Sequence, residues 1–596
     1  MNDRDELVAL CGAHGIDAGY WAIDGNYYET PTDSLAAIAE AFRIREAAPT
    51  RMATIDEALE RGGPGAHVPN ALRDGRVWGF ACQLGSLVSR RNHGNGDFAD
   101  LAELCRIAAG MGADFVGLNP LHALFSAEPG HASPFSPSNR LMWNPLYLAP
   151  DWIEGWDALP ADLRVVPERL RSGDLVDLAA VTAHKRRVVG ALYDAYPWTP
   201  ALRRDYEAYV RRGDGVLEAH GLFEALSRRA VNLGVGAGWM GWEASYRDRH
   251  SVDVRAYEAS EREVIDYYIW LQWQADRQLA RAAAAARDAG MRIGLYLDLA
   301  VGAVPDGSAT WMDPATTVPG LHVGAPPDPF SASGQDWGLA PINPVALANS
   351  GAKPIADMLN VAMRHAGAVR IDHAMGLARL WMIPAGRPAL EGAYVRYPLD
   401  RTLEALSASS NHHGCIVIGE DLGVVPDGFR PLMEQRDLHA YKVFFFERDE
   451  HGFRDPAGWG RTSLACVGTH DTPSFPGWWA GHDIDVRRSI GMIDDGAADG
   501  ERWLRGEDRG RVRAMVGEAD DVETSVRVHA HVARSPCRLM VCQLDDALGT
   551  LDQPNLPGTI DEHPNWRRRM AVPLEMLEQH EGLSRHVEAL GRERPR

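Results

Sequence analysis

Short apolar runs alternate with helical patterns along most of this chain. The strand-like runs lie at residues 77–84, 114–118, 293–298, 367–372, 415–420, 441–446, 464–468 and 539–544. Amphipathic helical patterns lie between most of them, at residues 97–109, 267–289, 351–366, 400–410 and 510–533. Eight such alternations predict an α/β fold, a (β/α)8 TIM barrel with parallel strands.

The spacing of the runs also divides the chain. Residues 1–72 precede the first strand and show helical apolar spacing, so we expect a small helical N-terminal module there. A Gly-rich linker at 62–66 leads into the predicted catalytic barrel, 73–596. The gap at about 119–290 is too long for one crossover, and it predicts an inserted, mainly helical subdomain near the barrel mouth, followed by a cleft loop at about 301–345.

Charged residues end three of the strand-like runs. Arg370 and Asp372 alternate along the fourth run, so both side chains point the same way at its end. Taken alone, this pattern also fits a structural ion pair. The fifth run ends at Glu420, and His470 and Asp471 follow the seventh. Because the carboxyl ends of barrel strands converge on one mouth, we predict an active site there.

These acids suit the cleavage of a glycosidic bond with retention of configuration. That reaction needs a carboxylate nucleophile and a carboxylic acid about 5–5.5 Å away, which protonates the leaving oxygen. Arg370 is expected to keep Asp372 ionised, and a more apolar setting is expected to keep Glu420 protonated. His470 and Asp471 are expected to bind hydroxyls of the reacting sugar and to favour its distortion.

Composition narrows the class of partner. The formal net charge is −21, whereas nucleic acid or an anionic membrane surface calls for clustered Lys and Arg. The 18 Trp residues suit a neutral sugar ligand, because apolar sugar faces stack on aromatic rings. We therefore expect no nucleic acid partner.

The cysteines and the N-terminus indicate a location. None of the seven Cys residues forms a CxxC pair, which predicts free, mostly buried thiols in a reducing compartment. The first residues are acidic, and no apolar run reaches the ~18 residues that a membrane span needs. We expect a cytoplasmic protein that does not bind membranes.

Several motifs together resemble the 4-α-glucanotransferases, the amylomaltases or disproportionating enzymes of glycoside hydrolase family 77. The resemblance covers nearly the whole chain after the linker, and the motifs that carry it lie at residues 78–84, 133–139, 144–147, 324–328, 334–338, 369–381, 392–398, 417–426, 468–473, 555–559 and 564–567. Their order and spacing together are more specific than any one of them.

The resemblance implies an activity. Asp372 corresponds to the nucleophile, Glu420 to the acid/base and Asp471 to the acid that stabilises the transition state. The implied reaction transfers α-1,4-glucan segments from a donor malto-oligosaccharide to the 4-OH of an acceptor glucan or glucose, through a covalent glycosyl-enzyme. No paired His/Cys ligand spacing lies beside the acids, so we expect no cofactor and no metal. We also expect a monomer or a homodimer.

The resemblance also implies binding residues and shows two departures. Sugar-binding positions are Arg370 and His470 beside the reacting sugar, Asp328, Gln335 and Trp337 on a mobile loop over the cleft, and Asn555, Pro557, Gly558 and Trp566 on the far wall. Phe135 stands where the family usually has Tyr, which keeps a stacking face but loses a hydroxyl. Asp336 stands where Asn is common. We expect both departures to alter affinity and not chemistry.

Three other classes of function share part of this residue pattern. A metal-dependent barrel hydrolase could use His373 and His470, but it typically has a His-x-His pair at a strand tip, and here the first strand ends Cys82-Gln83-Leu84-Gly85. A catalytically dead glucan-binding protein would lack one of the acids, and all are present. An α-glucan hydrolase shares the mechanism with water as acceptor, and the residues alone separate it poorly from a transferase.

Overall fold

The computed structural model describes residues 3–22, 25–46, 48–327, 331 and 333–596. The strands are β1 (Gly19–Trp21), β2 (Tyr27–Glu29), β3 (Val77–Cys82), β4 (Phe115–Leu118), β5 (His122–Ala123), β6 (Asn139–Trp143), β7 (Gly294–Leu299), β8 (Leu321–Ala325), β9 (Gln335–Leu339), β10 (Ala368–Ile371), β11 (Arg379–Pro384), β12 (Ala393–Arg396), β13 (Ile416–Gly419), β14 (Ala440–Val443), β15 (Arg448–Asp449), β16 (Gly452–Phe453), β17 (Ser463–Cys466) and β18 (Leu539–Gln543).

Helices occupy most of the gaps between these strands. The α-helices are α1 (Asp3–Ala13), α2 (Thr32–Ala41), α3 (Ile55–Arg61), α4 (Asn70–Arg73), α5 (Phe98–Gly110), α6 (Ala161–Arg164), α7 (Leu178–Asp194), α8 (Pro200–Arg212), α9 (Val216–Asn232), α10 (Ala244–Arg247), α11 (Val252–Ser260), α12 (Arg262–Asp288), α13 (Ser308–Met312), α14 (Pro344–Asn349), α15 (Lys353–Met363), α16 (Leu399–His413), α17 (Phe429–Gln435), α18 (Phe475–Ala480), α19 (His482–Ser489), α20 (Asp495–Val516), α21 (Asp521–Ala533), α22 (Leu544–Leu548) and α23 (Glu581–Glu593).

Eight parallel strands form a closed barrel. Around it the order is β3, β4, β7, β10, β13, β14, β17 and β18, so each strand pairs with the next barrel strand in the chain. The sheet closes where His439, just before β14, accepts a hydrogen bond from Gly419 N at 2.8 Å and donates to Val417 O at 2.9 Å. The TIM-barrel prediction is confirmed, and each of the eight predicted strand runs overlaps one barrel strand.

The prediction of one continuous helix over residues 510–533 is wrong. The stretch 510–533 is divided between α20 and α21. Gly517 takes a φ of +84°, which ends α20, and the Asp520 carboxylate accepts a hydrogen bond from Glu523 N at 2.8 Å as the cap of α21. Both helices contribute apolar side chains to the main core, among them Val512 of α20 and Val528 of α21.

Two insertions surround the mouth of the barrel. Between β4 and β7 lie the paired strands β5 and β6 and helices α6 to α12, of which the 27-residue α12 packs against α5 and α9. Beyond β7, strands β8 and β9 form a hairpin within a four-stranded antiparallel sheet of order β12, β11, β8, β9. The predicted cleft loop therefore contains a β-hairpin, together with helix α13.

The N-terminal segment packs on that antiparallel sheet. It contains the β1–β2 hairpin as well as helices, and Ile16 forms a bridge with Val395. Arg396 N donates to Gly15 O at 2.8 Å. The residues predicted as a linker are also docked, because Ala66 N donates to Arg436 O at 2.8 Å. The buried apolar side chains of the N-terminal segment belong to the same core as those of the barrel.

The state of the cysteines and the length of the apolar helices were also predicted. All seven cysteines are unpaired and buried, as the sequence predicts. Among the residues that the structure describes, no helix combines the length and apolar composition that a membrane crossing requires.

Candidate active site

A buried arginine joins two carboxylates at the mouth of the barrel. Arg370 lies on β10, and its Nη1 contacts both carboxylate oxygens of Asp298 at 2.9 and 3.0 Å. Its Nη2 lies 2.8 Å from Oδ1 of Asp372. Burial alone would lower the pKa of Arg370, but Asp298, Asp372 and Glu420 outweigh it and raise that pKa well above its usual value. Arg370 therefore stays charged and orients the Asp372 carboxylate.

Glu420 occupies the position beside Asp372 on the neighbouring strand. Ile371 on β10 pairs with Gly419 on β13, so the next residue of each strand is an acid. Parallel strands lie about 4.8 Å apart, which is compatible with the short carboxyl separation of a retaining pair. The Glu420 carboxylate accepts hydrogen bonds from His373 N at 3.0 Å and Leu422 N at 2.6 Å. Two backbone donors thus fix its orientation.

The two acids differ in their surroundings. Burial raises the pKa of Glu420 to about 7, with the Asp372 charge adding to the rise and Arg370 opposing it. At neutral pH both protonation states of Glu420 are populated, which is what a group that first donates and then accepts a proton requires. Asp372 instead faces the Arg370 guanidinium directly.

Asp471 completes the set of acids after β17. Its Oδ1 accepts a hydrogen bond from Asn555 Nδ2 at 2.7 Å, and its Oδ2 lies 3.2 Å from Nε2 of His470. Burial opposes ionisation, but His470 and Asn555 lower the pKa of Asp471 to about 2. Asp471 raises the pKa of His470 in return, although burial lowers it. Asp471 is therefore ionised throughout the neutral range.

Three rings form a wall next to these acids. Phe135 stacks on His470 with ring centroids 4.6 Å apart and an interplanar angle of 22°. Trp566 lies 5.5 Å from Phe135 and 5.6 Å from His470. Trp566 and Gln83 also line a cavity of about 100 Å³ between the barrel and helices α7 and α12. The wall thus continues into a recess beyond the acids.

The remaining predicted sugar-binding residues that the structure describes lie on the β8–β9 hairpin and in the segment after Asn555. Trp337 on β9 meets the ring of His373 edge-on at 5.2 Å and donates through Nε1 to Gln335 Oε1 at 3.1 Å. Asp328 lies outside the described residues. Pro557 and Gly558 are exposed and follow Asn555 in the chain.

Asp298 is the site residue that sequence analysis missed. It is buried on β7, and burial together with the charge of Asp372 raises its pKa, while Arg370 opposes the rise. A signal was present, because Asp298 ends the third strand run as Asp372 and Glu420 end theirs. Tyr441 on β14 is a second case, with its ring centroid 5.7 Å from the Arg370 guanidinium carbon.

The described part of the chain contains no group of three or more His, Cys, Asp or Glu side chains placed to hold a metal ion. The expectation that catalysis needs no metal stays a prediction.

Comparisons with known proteins agree with this geometry. A family model described as 4-alpha-glucanotransferase, of glycoside hydrolase family 77, matches residues 82–575. The 4-alpha-glucanotransferase of Haemophilus influenzae is 33% identical over 553 residues, which cover 87% of this chain and 79% of that protein. The 4-alpha-glucanotransferase of Mycobacterium tuberculosis is 35% identical over 538 residues, covering 85% and 73%.

Solved structures show the same fold. The amylomaltase of Corynebacterium glutamicum superposes with a TM-score of 0.83 at 25% identity, covering 98% of this chain and 99% of that one. The amylomaltase of Streptococcus agalactiae gives a TM-score of 0.72 at 17% identity, covering 86% and 98%, and supports the fold alone. With its acids at the mouth of the barrel and a family match over most of its length, this chain belongs to the 4-α-glucanotransferases of glycoside hydrolase family 77.

Proposed function

We propose that this enzyme transfers α-1,4-glucan segments from a donor malto-oligosaccharide to the 4-OH of an acceptor glucan or glucose. The reaction is a retaining double displacement. Asp372 attacks the anomeric carbon while Glu420 protonates the departing oxygen, which leaves a glycosyl-enzyme ester and a free chain end. Glu420 then takes the proton from the acceptor hydroxyl as that oxygen displaces Asp372.

The observation that carries this proposal is the pairing of Asp372 and Glu420 on adjacent strands in contrasting environments. The Asp372 carboxylate lies 2.8 Å from the Arg370 guanidinium, whereas burial raises the pKa of Glu420 to about 7. One group is thereby suited to nucleophilic attack and the other to proton transfer.

The other site residues support the reacting sugar. Asp471 stays ionised and can balance positive charge that develops at the ring oxygen and anomeric carbon. His470 and Asn555 hold that carboxylate at 3.2 and 2.7 Å. Phe135, Trp337 and the wall residue Trp566 offer apolar faces to sugar rings.

All seven cysteines are free and buried, in keeping with a cytoplasmic enzyme.

Incubation with maltotriose tests the proposal against its alternative. Transfer gives glucose together with a ladder of chains longer than maltotriose, at a constant number of reducing ends. Hydrolysis by the same mechanism raises the number of reducing ends without longer chains, and that result would contradict transfer. Dialysis against a strong chelator should leave the rate unchanged, and a loss restored by one divalent ion would contradict the metal-free reaction.

A further inference from the structure

A second groove lies on the inserted helices, separate from the active site. We call it the insert groove. It runs between α8 and the first turns of α12, is closed by the last turn of α7, and has a volume of about 560 Å³. Its lining residues all fall between Tyr193 and Trp270, and none belongs to the acidic cluster or its aromatic wall. This volume lies within the range of about 300–1,000 Å³ typical of ligand sites.

The groove lies beside a helix that is only partly buried. Tyr209 is the one buried side chain of α8, while Leu202 and Val210 pack against the core and remain partly exposed. Arg203, Tyr206 and Val210 recur at helical spacing and face the opening. Asp266 and Trp270 form the opposing side on α12.

Aromatic rings dominate the walls of the insert groove. Tyr193 meets Trp270 edge-on at 5.4 Å, and Trp198 lies 5.4 Å from Tyr206. Trp198 is half-buried, and the exposed Arg203 side chain lies over its ring at 4.9 Å. Because Arg203 is long and exposed, it can swing aside and leave the ring face open to a ligand.

The polar groups of the groove favour a neutral ligand rich in hydroxyls. Charged side chains of both signs line it in nearly equal number, namely Asp194, Glu207, Glu263 and Asp266 with Arg203, Arg211 and Arg262. Arg262 and Asp266 form an ion pair at 2.6 Å, which further reduces the electrostatic field inside the groove. The Trp270 ring is fully buried and packs edge-on against Tyr193, so it backs the groove without meeting a ligand itself.

We infer that the insert groove binds a segment of α-1,4-glucan at a distance from the active site. The partly exposed rings of Tyr193, Trp198 and Tyr206 beside balanced charges match a sugar chain, which has apolar faces and many hydroxyls. This inference rests on the proposed function, because a polymer already held at a second site reaches the cleft at a raised effective concentration. Short substrates cannot span both sites and gain nothing from the groove.

Gel retardation in amylopectin tests the inference, with maltotriose transfer measured on the same proteins. Trp198→Ala removes a groove ring, and Glu207→Arg places a longer side chain at the exposed rim. A stacking loss of about 1 kcal/mol corresponds to roughly fivefold weaker retention on amylopectin. Transfer from maltotriose should stay within about twofold of the wild type. Trp503→Ala is the control, since Trp503 is 67% exposed on α20 and does not line the insert groove.

The two readouts separate the inference from the proposed function. If wild-type enzyme fails to elongate maltotriose, the proposed function is wrong, whereas retention on amylopectin still reports the groove. Wild-type retention in Glu207→Arg, or equal losses in Trp503→Ala and the groove variants, would overturn the inference. Should Trp198→Ala also lose maltotriose transfer, retention of Glu207→Arg on amylopectin is the test of the inference. Glu207 is exposed, so its replacement leaves the packed core unchanged.

Discussion

Arg370 and the acids around it were largely predictable from the residue pattern. Alternation along a strand places Arg370 and Asp372 on one side, and the structure brings them to 2.8 Å. The bond from Asn555 to Asp471 was not predictable, since it joins residues 84 positions apart in the chain. Asp298 ends a strand run as the other acids do, but its partner is known only from the pairing of β7 with β10, which sets it opposite Arg370.

Glu420 makes the activity depend on pH. Burial raises its pKa to about 7, and the first step needs its proton for the leaving oxygen. We expect kcat/KM for maltotriose to fall above about pH 7, by about tenfold per pH unit once Glu420 is ionised. A glycosyl fluoride donor, whose leaving group needs little protonation, should show a much weaker fall in the rate of glycosyl-enzyme formation. Equal alkaline falls for both donors would contradict the acid role.

Phe135 supports the site through its contacts with other rings. It stacks on His470 at 4.6 Å and lies 5.5 Å from Trp566, so Phe135→Ala frees both rings. We expect Phe135→Ala to lose about 1–3 kcal/mol of transition-state binding, measured as kcat/KM for maltotriose. Phe135→Tyr keeps the ring and serves as the control with near wild-type kinetics. Unchanged kinetics in Phe135→Ala would mean that the ring takes no part in catalysis.

The β8–β9 hairpin is the element that sequence analysis described least well. The eight barrel strands are apolar runs, whereas β9 reads Gln335-Asp-Trp-Gly-Leu339 and acquires its strand conformation by pairing with β8. The resemblance implied a loop over the cleft but no strands within it, and the sheet that the loop joins also includes β11 and β12. Such pairing depends on distant segments, which local propensity does not encode.

Asp336 shows how the hairpin changes one expectation. Strand alternation places it opposite Gln335 and Trp337, and its carboxylate lies 3.1 Å from Nδ1 of His322 on β8. The pair raises the pKa of His322 and lowers that of Asp336, while burial opposes both shifts. Asp336 is therefore placed to brace the hairpin and not to bind sugar directly.

Asp336→Asn should change stability more than activity. The ionic pair stabilises the fold when His322 is charged and Asp336 ionised. This stabilisation is full below the ordinary His pKa of 6.5, provided the pH is above 3.8, and it is lost as pH rises through the raised pKa of His322. The partly exposed pair should contribute under about 1 kcal/mol. Thermal unfolding of both proteins at pH 5 and pH 9 measures this, and an equal Tm difference at both would contradict it.

Activity of the same variant provides the control. We expect kcat/KM of Asp336→Asn for maltotriose to stay within about threefold of wild type, which is under about 0.7 kcal/mol. A larger loss would show that Asp336 reaches the substrate.

The N-terminal segment and the barrel share one core. Sequence analysis separated them at residue 72 because the strand pattern begins there, but the boundary is crossed by buried contacts that composition does not reveal. Leu35 and Cys11 are fully buried in the same cluster as the barrel residues. The fold class was predictable because eight strand–helix repeats give a regular pattern in the sequence. The packing of the N-terminal segment on the barrel produces no such pattern.

Leu35→Ala tests whether that core is shared. Truncating a fully buried Leu costs about 2–5 kcal/mol. If the core is continuous, the whole enzyme should be destabilised, with maltotriose transfer and tryptophan fluorescence lost at the same, lower temperature. Wild-type kcat is expected at 25 °C. An early fluorescence transition that leaves transfer intact would indicate an independent N-terminal module.

The assignment of Asp372 and Glu420 is the central claim, and intact-protein mass spectrometry with a glycosyl fluoride tests it most directly. In Glu420→Gln the nucleophile is intact and the fluoride leaves with little protonation, so we expect one added glycosyl mass, mapped by proteolysis to the peptide containing Asp372. In Asp372→Asn we expect no adduct, because the attacking carboxylate is absent. Finding the sugar on the Glu420 peptide of an enzyme that retains Glu420, or no adduct in any variant, would contradict the account.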